Sequence, residues 1–148
     1  MRDWIDGLRS RLGRFREQAQ HRQFADAAMA ACALVALSDK DHRLAEITAR
    51  DRVLKRLDEE SSVDLRRAIA AYDRYAGLLQ TDPHAGRKAL LDIVTGLKRD
   101  RAQAERLIKV CLAVGHSDQR FSAKERAVVE DVCEALGVHP GDVGVYDL

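Results

Sequence analysis

Carboxylates gather at two places where one apolar stretch gives way to the next: Asp39 and Asp41 with Glu46, and Asp118 with Glu125. Ionised carboxylates are hard oxygen donors and suit calcium, magnesium or manganese. Neither stretch has the ligand count or spacing of an EF-hand loop. A divalent-cation site would therefore draw Asp39, Asp41, Glu46, Asp118 and Glu125 from both loops together, with water or other ligands completing it. The same residues also fit a structural reading. Ser122-Ala-Lys-Glu125 has the form of a capping box, in which the two side chains satisfy backbone donors at a helix start. Glutamate in a first turn complements the helix dipole. Asp39 and Asp118 can accept hydrogen bonds in a turn. Cation binding and helix capping both stay open.

Other reactive residues keep no comparable pattern. Of His21, His42, His84, His116 and His139, His42 and His116 lie in or beside the acidic loops, where they could be soft-metal ligands, but with no zinc-ligand spacing they read as polar loop residues. Cys32, Cys111 and Cys133 match no metal or redox motif. Each sits in an apolar stretch, so all three are expected in the core as reduced thiols. There is no Walker loop, no nucleophile elbow and no dinucleotide fingerprint. No substrate pocket or paired-carboxylate chemistry is identifiable, so no enzyme activity is expected.

The elements that must hold the acidic loops are helices. Residues 2–19 place Trp4, Ile5, Leu8, Leu12 and Phe15 at helical spacing, with Arg2, Arg9, Arg11, Arg14 and Arg16 on or beside the other face. Such a stripe is expected to pack on the domain core or on a partner, although a basic amphipathic helix can also lie on an anionic membrane. Residues 24–38 are almost continuously apolar, which marks a helix central in a bundle. Its alanines allow close approach of neighbours. Further helices are expected over about 43–58 and 63–79 (capped by Ser61 or Ser62), behind Thr81-Asp82-Pro83 with Leu90, Val94 and Leu97 on it, from a cap at Asp100 to the polar loop around Ser117, and over 123–136 with Gly137 as the stop. His139-Pro140-Gly141-Asp142 opens a short turn. Nothing alternates with period two, so essentially no sheet is expected.

Residues 22–57 can be written above residues 101–136 without a gap. Arg22 then meets Arg101, Cys32 meets Cys111, Ser38-Asp39 meets Ser117-Asp118, and Glu46 meets Glu125. Two related helix–loop–helix units packed pseudo-symmetrically would build one core. The fold class is therefore all-α, a single-domain bundle of about seven helices with two pseudo-repeated units. It divides into a basic amphipathic helix over residues 1–20 and a helical domain over residues 21–148.

Composition bounds what this bundle can do. The 148 residues suffice for one core, and the 46% apolar and 33% charged fractions are ordinary for a globular helical chain. The formal net charge of +1 gives no reason to expect nucleic acid as a partner. No transmembrane run or secretory signal is legible, so the cytoplasm is the expected compartment.

The segment Cys111-Leu-Ala-Val-Gly-His-Ser-Asp118-Gln-Arg-Phe121-Ser122-Ala-Lys-Glu125, with its counterpart from Ala33 to Glu46, resembles the TerB-like family of bacterial tellurite-resistance proteins. Family members usually carry glycine after the aspartate, where this chain has Lys40 and Gln119. The similarity spans about residues 22–137. It implies a bundle of about seven helices with clustered acidic residues, linked to tellurite resistance and related stress responses. Two functions are thus expected to compete. One is a stress-response domain binding a divalent cation (calcium, magnesium or manganese) through the acidic loops. The other is a metal-free module that docks a protein partner, or touches a membrane peripherally, through residues 2–19. Oligomeric state is not legible.

Overall fold

The computed structural model describes residues 2–38, 43–60, 64–115 and 122–145, with backbone alone for 43–49, 59–60 and 114–115. These residues form six α-helices: α1 (Arg2–Ala36), α2 (Arg43–Glu60), α3 (Leu65–Thr81), α4 (Pro83–Thr95), α5 (Arg101–Gly115) and α6 (Ala123–Leu136). A 3-10 turn, Pro140–Val143, follows, and no strand occurs among the described residues.

The main departure from expectation is at the start of the chain. The two expected helices over residues 2–19 and 24–38 are one helix of 35 residues. No proline, and no glycine with positive φ, stands between Gln20 and Gln23 to break it. This fusion is why six helices are counted where about seven were expected. The burial of the two halves is opposite. From Phe24 to Val35 every residue but Asp26 is buried, and from Arg2 to Gln23 every residue is exposed. The expected packing of the amphipathic stripe on the domain's own core is therefore overturned.

The buried half of α1 touches all five other helices. It can do so because its inward surface carries Ala27, Ala28, Ala30, Ala31 and Ala33, whose small side chains let neighbours approach from every side. Around it pack Leu57, Leu90, Val94, Leu107, Ile108, Val129, Val132 and Leu136, all 2% exposed or less. Cys32, Cys111 and Cys133 are buried in this core.

Local chemistry sets the helix ends. Asp64 caps α3, its carboxylate accepting from the Arg67 N–H at 3.2 Å. Ser61 and Ser62, expected in that role, lie outside the described residues. Asp82 closes α3 and opens α4, with Pro83 in the first helical turn. Asp100 caps α5 through Gln103 N–H at 3.2 Å. At the end of α6, Gly137 is left-handed at φ 67°. Val138 N–H bonds to the Cys133 carbonyl at 2.9 Å and Gly137 N–H to that of Glu134 at 3.1 Å. This is the Schellman arrangement, and buried Val138 supplies its apolar contact.

Candidate functional site

The relative direction of α1 and α5 decides where the acidic connections start. The Arg106 guanidinium of α5 lies over the Phe24 ring of α1, 4.2 Å from its centroid. Further along both helices, buried Cys111 lies near enough to buried Cys32 for Cys32 to hold its thiol protonated. Moving from Phe24 to Cys32 on α1 therefore moves from Arg106 to Cys111 on α5, so the helices run parallel. At the other end of this pair, Gln23 Nε2 donates to the Gly96 carbonyl, just before α5, at 3.1 Å. Both helices end four residues beyond their cysteine, at Ala36 and Gly115. The connections to α2 and to α6 thus leave from the same end of the bundle. Each first helix also touches the second helix of the other unit, α1 with α6 and α2 with α5. Those contacts are the ones a pseudo-symmetric pairing of two repeats requires.

Of the sequence-derived residues, Asp39, Asp41 and Asp118 lie outside the described residues. Glu46 falls in the first turn of α2, where the backbone alone is described. Glu125 is described in full. It is half-buried in the first turn of α6, and its N–H donates to Ser122 Oγ at 3.0 Å. Ser122 has the extended backbone of an N-cap, φ −67° and ψ 158°. This half of the capping box is therefore formed. Beside Glu125, Arg126 holds its Nε buried without a hydrogen-bond partner among the described residues. A guanidinium thus follows directly on Glu125 in the first turn of α6. Among the described residues no three His, Cys, Asp or Glu side chains form a group able to hold a metal.

The core thiols are not poised for chemistry. Burial, reinforced by the neighbouring Cys32 and Cys133, pushes the Cys111 thiol far above its ordinary range. Burial and the nearby Glu130 carboxylate push Cys133 up to about 11. Both stay protonated and unreactive at neutral pH.

Sequence reasoning missed a cleft between α1 and the start of α3. It is lined by Gln18, His21, Arg22, Asp26, Asp64 and Arg67, with a volume of about 310 Å³. Arg67 pairs with Asp26 at 3.0 Å across 41 positions of sequence, and Asp64 is occupied as the α3 cap. With both carboxylates engaged, the cleft contains no nucleophile–base pair. No sequence signal links residues so far apart; only the packing of α3 on α1 brings them together.

The family model for tellurite resistance protein TerB matches residues 25–146. The chain belongs to the TerB family. The TerB match begins one residue after Phe24, where α1 enters the core, and leaves the exposed half of that helix outside. No curated protein and no solved structure matches the chain. Among the described residues, no helix is long and apolar enough to cross a membrane.

Proposed function

We propose that this TerB-family chain is a non-catalytic stress-response domain of the tellurite-resistance type. Its acidic end would bind a divalent cation (calcium, magnesium or manganese) through Asp39, Asp41, Glu46, Asp118 and Glu125. The observation that carries this reading is the parallel run of α1 and α5, which starts both acidic connections at one end of the bundle. Hard carboxylate oxygens in that number suit a hard cation. The rival reading is that the same residues cap α2 and α6, as Ser122 already does for α6. Capping accounts for about 1 kcal/mol per helix and does not require acids at both connections.

The test is a thermal melt of chelator-stripped protein with and without millimolar calcium, magnesium or manganese. A ligand that binds the folded state alone must raise the midpoint. A saturable rise of a few degrees with one of the three ions, lost in Asp118→Ala/Glu125→Ala, is the expected result. No shift with any of the three leaves the acids as caps and ends the cation reading.

A further inference from the structure

The exposed half of α1 lies at the opposite end of that helix from the acidic connection that follows Ala36. Five large apolar side chains there face solvent: Trp4 at 65% exposure, Ile5 at 40%, Leu8 at 48%, Leu12 at 54% and Phe15 at 67%. At about 100° of rotation per residue they fall in one stripe roughly 100° wide. Arg9 and Arg16 lie along one border of that stripe. Arg11 lies along the other, with Arg14 beyond it. Asp3, Asp6 and Glu17 fall on the opposite side of the helix, so the apolar stripe is bordered by positive charge alone. Among the described residues nothing covers this stripe, and residues 2–23 are exposed throughout. A helix without tertiary contacts is marginal in water, and Gly7 and Gly13, with no atom within 4 Å of an added Cβ, weaken it further. It needs a surface that holds it.

We propose that this surface is an anionic lipid bilayer, on which residues 2–16 of α1 lie parallel to the plane. The charge pattern selects it. On phosphate headgroups the arginine stems run along the acyl boundary while their guanidinium groups reach phosphate on both sides of the helix. Trp4, an apolar ring with an indole N–H, suits the headgroup boundary, and the Phe15 ring suits the acyl side of it. The acids point away from the negative surface. A second copy fits poorly. With Ile5, Leu8, Leu12 and Phe15 as the seam of a helix pair, Arg9, Arg11 and Arg16 occupy the flanking positions, where like charges repel. A coiled coil with another helix also fits poorly, because the stripe covers under two heptads and a sustained seam needs three or four.

Trp4 is the chain's single tryptophan and reports directly on this stripe. The experiment is a titration of the full chain with phosphatidylglycerol vesicles and, separately, with phosphatidylcholine vesicles, following Trp4 emission. A saturable blue shift with phosphatidylglycerol, at least tenfold weaker with phosphatidylcholine, is expected. It should be lost in Leu8→Glu/Leu12→Glu and weakened, with a smaller salt dependence, in Arg9→Glu/Arg16→Glu. Because these residues lie outside the core, circular-dichroism melts should show the bundle unchanged in both variants. No shift with either vesicle overturns the proposal. So does an equal shift with both, which would remove the electrostatic selection. A blue shift without lipid that grows with protein concentration and accompanies a dimer mass would assign the stripe to a second copy. A shift on an acidic helical peptide alone would assign it to a protein.

Discussion

At the residue scale, burial governs the three thiols. The three cysteines sit among apolar side chains with at most 1% exposure, and such thiols do not react. Ellman's reagent should titrate no thiol in the native protein at pH 8 and all three in denaturant; rapid labelling of a native thiol would mean the core opens there. Burial also fixes the alkaline limit of stability. Cys133 titrates at about 11 in the folded chain against 9.0 for the ordinary thiol, and Cys111 higher still. As pH rises through 9 the unfolded chain gives up these protons first, so stability is lost from there upward. The melting temperature should hold between pH 7 and 8 and drop by pH 10. Cys133→Ala should lose less between pH 8 and pH 10 than the parent does.

At the element scale, the α3–α4 corner shows how few residues set a helix pair. The Asp82 N–H closes α3 on the Leu78 carbonyl at 3.0 Å, and its carboxylate opens α4 on the Ala85 N–H at 3.1 Å. One turn later, a Cβ on Gly86 would stand 2.7 Å from the Leu78 carbonyl oxygen. Backbone, not a flexible side chain, would have to move. Gly86→Ala should therefore cost about 1–3 kcal/mol, as overpacking does. Asp82→Ala should cost about 1 kcal/mol, as lost caps do. Urea unfolding measures both, and a Gly86→Ala midpoint equal to that of the parent would mean the two helices separate there without penalty. At this scale the sequence was nearly sufficient. Ser122, Gly137 and Pro83 announced their helix ends, and the structure has them there. Asp64 took the cap expected of Ser61 or Ser62, since three residues on, Arg67 offers the N–H it needs.

At the scale of the whole molecule, α1 belongs half to the bundle and half to the outside. Deleting residues 1–20 should leave the unfolding free energy within about 0.5 kcal/mol, because surface groups without partners contribute little. A loss of several kcal/mol would mean that the exposed half packs on the domain in solution. Cation-linked stabilisation and lipid binding should then separate cleanly: the truncated chain keeps the first and loses the second.

The helices, the apolar core stretch from Phe24 to Val35, the duplication and the acidic residues that recur in it were legible in the sequence, because period, caps and composition are local properties. The resemblance to the TerB family was legible for the same reason, and the family model matches residues 25–146. Direction and cover were not. That α1 and α5 run parallel, so that two acidic connections leave from one end, follows from Arg106 over Phe24 and the influence of Cys32 on Cys111, pairs some 80 positions apart. That Arg67 meets Asp26 rests on the same kind of long-range packing. A helical stripe records which face is apolar and not what will cover it. Only the tertiary structure decided that the core takes α1 from Phe24 onward and leaves Trp4 to Phe15 to solvent.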